Sequence, residues 1–216
     1  MNLFAIRFNA VVRRFVIADL VWLGGWGLIA PVFPVFVLGQ IPGATVLTIG
    51  IGAAIYWILK SVIQIPVALA IDRTPSERDD YLVLVVSLIF AGLTSFSFIL
   101  VRTVWQLYLV QAMQAISFAL YIPSWNGIFT RHLDPQHRAL EFAVDSAAVG
   151  IATGIAGLLG SIIAESFGFN VIFFVTAISS FVSAVMIFHS PGVVFPRSHR
   201  PAAISGADHT PRNLGR

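Results

Sequence analysis

Cysteine is absent from this sequence of 216 residues. That excludes disulfide staples, thiolate nucleophiles and cysteine metal sites. Charge is scarce too. Only 11 % of the residues are Asp, Glu, Lys or Arg, where a soluble domain carries about 25 %. Lysine occurs once, at position 60. No Gly-rich loop for cradling phosphate is present, which argues against nucleotide hydrolysis in this chain. The net charge is +3, but the basic residues flank apolar runs and form no patch interleaved with stacking aromatics. Nucleic acid is therefore not an expected partner. The alternating polar pattern of a membrane barrel is missing as well.

What fills the chain is apolar: 57 % hydrophobic residues, with a mean hydropathy of +0.88. About 20 apolar residues cross a bilayer as a helix. Six stretches qualify: 15–38, 45–71, 81–101, 104–129, 139–164 and 167–188. Backbone polar groups cannot go unpaired in lipid, so these spans are expected to be helices. The fold class is thus an all-α membrane protein with six transmembrane helices in one domain, 1–188, and the lipid bilayer is its first partner. The first run follows Arg7, Arg13 and Arg14. It is too long for the apolar part of a signal peptide, and no small-residue cleavage site follows, so we expect it to be retained. Residues 189–216, rich in Pro, Gly, Ser and Arg, are expected to be a disordered tail.

Orientation follows from the basic residues. Arg7, Arg13, Arg14, Arg73, Arg78, Arg131, Arg138, Arg197, Arg200, Arg212 and Arg216 fall on the side that holds both termini. Arg102 falls opposite, and Lys60 lies within a span. The positive-inside rule places both termini in the cytoplasm of a cell membrane.

Charges inside spans are expensive and point to function. Lys60 lies 11 residues from the end of the second span, about 16 Å deep. Its face carries Tyr56, Trp57 and Gln64. The fourth span offers Gln111, Gln114, Phe118, Tyr121 and Trp125, and the first offers Asp19, Trp22 and Trp26. These stripes are expected to converge on a central cavity in which Lys60 pairs with Asp145 of the fifth span. Glu141, in the first turn of that span, reads as a helix-dipole partner. Asp19 reads as a cap or a partner for a loop arginine. The fifth span also carries Ala143, Ala147, Gly150, Gly154, Gly157 and Ser161 on one face, the pattern of a tight helix-packing seam.

Enzyme readings are weaker. Ser161 with His189 lacks a third group for nucleophilic catalysis. His132, Asp134 and His137 sit between Arg131 and Arg138, which repel a cation. No cofactor is expected.

The loop after the second span completes the pattern. Asp72-Arg73, followed by Arg78, resembles the G-x-x-x-D-R-x-G-R-R/K loop of major facilitator superfamily transporters, with Ala68 and Pro75 in place of the two glycines. Pro31 and Pro34 ending the first span, the Gly-rich fifth span and Arg131 after the fourth are similar to the same family. The resemblance covers about residues 10–190 and is to the N-terminal six-helix half. It implies a half-transporter bundle of 3+3 inverted repeats, with Pro31 and Pro123 at corresponding places, and a small-molecule substrate carried by secondary-active transport with alternating access. In this reading Asp72, Arg73, Arg78 and Arg131 gate the path. Where some members carry Arg-x-x-Gln-Gly in the fourth helix, this chain has Gln111-x-x-Gln114-Ala115, without the Arg. The Gly-Pro that closes the fifth-helix pattern of proton-coupled drug antiporters is absent. Such transporters have twelve helices, so six imply a homodimer or a separate second half. The competing reading is a truncated or accessory membrane protein that packs against a partner through the fifth span.

Overall fold

The structure is a computed structural model, and it describes residues 10–73, 77–134 and 137–190. The expected tail lies outside these residues, apart from His189 and Ser190. Seven helices run α1 (Ala10–Ile29), α2 (Phe33–Gln40), α3 (Val46–Arg73), α4 (Glu77–Ser97), α5 (Val104–His132), α6 (Arg138–Phe167) and α7 (Phe169–Phe188), with a 3-10 turn at Phe98–Leu100 after α4. Five helices are long and apolar enough to cross a membrane. The pair α1–α2, bent by 43°, makes the sixth span.

Local chemistry sets these boundaries. Pro31 has no N–H to give and Pro34 occupies the first turn of α2; together they break the first span where the sequence suggested one continuous helix. Pro66 and Pro123 lie inside α3 and α5 without breaking them. Thr103 caps α5 in a capping box with Gln106, satisfying two backbone donors that a helix start leaves open. Gly168 joins α6 to α7 at φ 83°, a left-handed conformation that a side chain would strain.

The packing has internal symmetry. The first span (α1–α2) packs on α6 and α7, α5 packs on α3 and α4, and α4 packs on α7. Exchanging the first three spans for the last three leaves this map unchanged. Because a group of three crossings ends on the opposite side, the second group runs inverted, giving the 3+3 repeat.

Lipid supplies little drive for helices to associate, so packing and hydrogen bonds must do it. Thr176 Oγ1 donates to Gly25 O at 2.8 Å and Ser183 Oγ to Ala18 O at 2.9 Å, tying α7 to α1. Ser117 Oγ donates to Ser87 O at 2.9 Å and ties α5 to α4, and Tyr81 Oη donates to Ile187 O at 2.5 Å. A Cβ at Gly27 would lie 2.9 Å from Thr153 Cα, and one at Gly160 would collide with the Leu28 carbonyl. Here α1 and α6 touch backbone to backbone.

The small-residue stripe is only partly engaged within this chain. A Cβ at Gly150 or Gly154 would meet nothing within 4 Å, and Gly157 only reaches Pro31 at 3.6 Å. Ser161 Oγ turns back to Gly157 O at 3.1 Å. Within this chain, α6 packs on α1 through Thr153, Ala156 and Gly160, with Gly157 at the margin of the contact, while Gly150 and Gly154 face out. Small residues occupy two faces of α6, and their spacing does not say which one meets α1. The windows of α3 and α6 that fit a membrane are each only 11 % buried, against 44–50 % for the other single-helix spans.

Candidate functional site

A cavity of about 390 Å³ lies between α1, α3 and α5, towards the end opposite the arginine-rich one. Trp26, Tyr56, Trp57, Gln111 and Gln114 line it, together with Phe33 and Ala53. Periods of three and four bring the α1 and α5 stripes to one face each. Gly52 of α3 faces Gln111 of α5, where a Cβ would make an ordinary contact at 3.6 Å with Gln111 Cγ. Phe118 lies beneath, edge-on to Trp26 at 5.6 Å and to Tyr56 at 5.8 Å between ring centroids. Trp26 Nε1 is a buried donor with no partner among the described residues, so this wall keeps a hydrogen-bond donor that they leave unused. The cavity can hold an apolar or aromatic body and offers amide and indole groups to its polar part.

Lys60 stands at the edge of this cavity. Its Nζ lies 4.0 Å above the Trp57 ring centroid and 5.6 Å from that of Tyr56. The ring faces attract the ammonium group. The expected ion pair with Asp145 does not form. Lys60 is on α3, which packs on α5, whereas Asp145 is on α6, which packs on α1 and α7. Depth alone suggested the pairing; the direction of each helix face decides against it.

The remaining predicted cavity residues divide by depth. Tyr121 and Trp125 are buried in the core nearer the arginine-rich end. Trp22 packs with tilted rings against Tyr121 at 3.9 Å and Phe118 at 4.8 Å between centroids, forming a floor below the cavity. Gln64 lines a second cavity of about 290 Å³ with Asp72, Asn126 and Thr130 at the arginine-rich end. Asp19 is buried, and among the described residues it meets no loop arginine: it accepts the Tyr121 hydroxyl. Glu141 is buried and accepts the Asp134 backbone N–H at 3.0 Å.

At that same end, Asp72, Arg73 and Arg78 are exposed. Arg131 pairs with Asp80 at 2.6 Å, and the Asp80 side chain is fully buried. Sequence reasoning missed Asp80, which the resemblance passes over in favour of Asp72. The signal was available: Asp79-Asp80 directly precedes the apolar run. His137 Nδ1 lies 3.0 Å from Asp134 Oδ2. Among the described residues no group of three or more His, Cys, Asp or Glu could hold a metal. Ser161 and His189 each bond a backbone carbonyl of their own helix.

A broken first span, two three-helix groups and an aromatic cavity between helices define a membrane-spanning helical bundle of internal three-helix repeats. The sequence matches the Major Facilitator Superfamily over residues 16–213, and the chain belongs to that family. It is 24 % identical over 163 residues to an uncharacterised MFS-type transporter of Methanocaldococcus jannaschii, MJ1560, covering 75 % of this chain and 40 % of that one. It is 29 % identical over 105 residues to an uncharacterised MFS-type transporter of Bacillus subtilis, YfiS, covering 48 % and 25 %. The fold is similar to the POT family transporter PepTSo, with a TM-score of 0.69 and 12 % identity, over 91 % of this chain and 41 % of that one. The chain spans less than half the length of each of these proteins.

Proposed function

We propose that this chain is one half of a secondary-active transporter that moves a small organic solute by alternating access. The observation that carries the reading is the cavity of about 390 Å³ walled by Trp26, Tyr56, Trp57, Gln111 and Gln114, with Lys60 at its edge. The solute's apolar body would lie among the rings. Its polar end would reach the two amides and the ammonium. No acidic residue lines this cavity, which favours a solute with an anionic group.

The second half covers the exposed face of α3 and α6, either as another copy or as a further six-helix unit. The low burial of both helices and the outward Gly150–Gly154 stripe support this, as does the greater length of the relatives. Rocking of one half on the other opens the cavity to each side in turn. The arginine-rich end faces the cytoplasm. There Asp72, Arg73 and Arg78 act with the Arg131–Asp80 pair as a gate.

The test is binding by the full chain in nanodiscs. Small organic acids and matched neutral amides are screened by quenching of tryptophan fluorescence. The reading expects acids among the hits, with affinity lowered at least tenfold in Lys60→Gln and unaltered folding. The accessory alternative expects no hits and indifference to Lys60→Gln, with assembly lost when Gly154 or Gly157 is enlarged.

A further inference from the structure

The end of the bundle away from the arginines carries little charge. Among the described residues its connections hold two charged side chains, Arg102 before α5 and Glu165 near the end of α6. They have opposite signs, and both are exposed. Neither forms an ion pair with a described residue. Such pairs, Arg131–Asp80 and His137–Asp134, lie at the arginine-rich end.

Each of the two charges lines a cavity of its own. Arg102 borders one of about 400 Å³, together with Gln40, Phe167 and Asn170. Glu165 borders one of about 320 Å³, whose other walls are mostly apolar and include Pro31, Val32 and Val35. Ala164 and Phe169 line both, so the two are neighbours along the seam of α2 and α6. A cationic pocket is thus followed by an acid and then by an apolar groove that runs into the span towards Pro31.

The pocket is built around a fixed arginine. The backbone N–H groups of Arg102 and Thr103 donate to Gln106 Oε1 at 2.7 and 3.1 Å. Arg102 Nη1 donates to Ile99 O and Val101 O, each at 3.1 Å. Nε and Nη2 are without a partner among the described residues, and a guanidinium edge of this kind matches two oxygens of a phosphate. Trp105 and Phe167 are 74 % and 73 % exposed beside it. Aromatic rings at the end of a membrane span sit at headgroup level. The pocket therefore stands at the depth of lipid phosphates, and the groove where acyl chains begin.

We propose that this seam binds one phospholipid with a primary amine in its headgroup, of the phosphatidylethanolamine type. The phosphate takes the open edge of Arg102, with the amides of Gln40 and Asn170 at the rim. The amine donates to Glu165, and an acyl chain lies against Val32 and Val35. Charge complementarity carries the assignment: such a headgroup holds an anion and a cation a few bonds apart, as the two cavities do in reverse. An anionic lipid without an amine is repelled by Glu165, and free phosphate leaves both Glu165 and the groove unanswered. The proposal requires a membrane protein and no transport step.

Native mass spectrometry of the delipidated full chain tests it. The chain is titrated with phosphatidylethanolamine or phosphatidylglycerol of the same acyl chains, and the Kd of the first bound lipid is read. Wild type is expected to prefer the ethanolamine lipid by about fivefold, the reach of one exposed charge pair. Arg102→Gln weakens both lipids, whereas Arg102→Lys retains the preference. Glu165→Gln abolishes the preference. Arg138→Gln, exposed at the opposite end, binds as wild type does. A melting curve for each variant confirms that it is folded. Glycerophosphoethanolamine, the same headgroup without chains, is expected not to displace the lipid at equal concentration; if it does, the site serves a soluble ligand and the lipid assignment falls. Equal binding of both lipids by wild type, or a preference that survives Glu165→Gln, overturns the proposal.

Discussion

Asp80 shows how much one buried charge controls in this molecule. Its side chain is sealed from solvent, and Arg131 reaches it at 2.6 Å across the α4–α5 contact. Removing Arg131 strands the buried Asp80; a fully buried pair would cost about 3 kcal/mol, and the one-third exposure of Arg131 lowers that figure. Arg131→Ala should therefore lower the thermal unfolding midpoint strongly, while Arg78→Ala, at an exposed position, should leave it within error. Equal effects would mean that the buried pair contributes nothing. Tyr121→Phe deletes the hydroxyl that Asp19 accepts. An unsatisfied buried acceptor costs about 1–3 kcal/mol, and a detergent-resistant melt that moves by less than the Thr103→Ala cap variant, itself about 1 kcal/mol, would contradict this. Such residues were only partly legible in the sequence. Lys60, Asp19 and Asp145 stand out because charge is rare in apolar spans. Which of them meet depends on helix neighbours, which no local period encodes. Depth suggested Lys60 with Asp145; packing gives Lys60 to Trp57 and Asp145 to the neighbourhood of Asp19.

The helices were read more securely than their contacts. Long apolar runs bounded by charge, Pro and Gly marked all six spans, because lipid leaves the backbone no alternative. The break in the first span was half visible: two prolines were read as an end, whereas the chain bends by 43° and continues as α2. The α6 stripe was read as a packing seam with no neighbour named, and within this chain its Gly150 and Gly154 meet nothing. Two glycines of that helix separate the readings. Gly160→Ala drives a methyl group into the Leu28 carbonyl and should disrupt α1–α6 packing, seen as loss of a folded peak in size-exclusion chromatography. Gly154→Ala meets open space and gains about 1 kcal/mol of helix propensity, so the isolated chain should melt at the same temperature or higher. If that variant nevertheless loses association with a second copy or half, the outward stripe is the interface between halves. If Gly160→Ala proves as harmless as Gly154→Ala, the close approach of α1 and α6 is wrong.

For the whole molecule, the symmetric packing of two three-helix groups explains why the cavity lies where it does. The first span and α5 are equivalent under the exchange, and they form two of its walls, with α3 as the third. The outward side of α6 is the face that the proposed second half would cover. In that reading the six-helix unit offers half of a path, and its function depends on water reaching the cavity. The absence of cysteine makes this directly measurable, because any introduced thiol is the only one in this chain. Gln114→Cys places one in the cavity wall. It is tested with a membrane-impermeant maleimide applied to vesicles of each orientation, after assembly with whatever second half the native membrane supplies. The account predicts that the thiol is labelled from at least one side, and that Lys60→Gln added to the same chain leaves the labelling intact. A thiol protected from both sides, in a protein shown to be folded and inserted, would mean that the cavity is sealed within the bundle and that this chain carries no solute path.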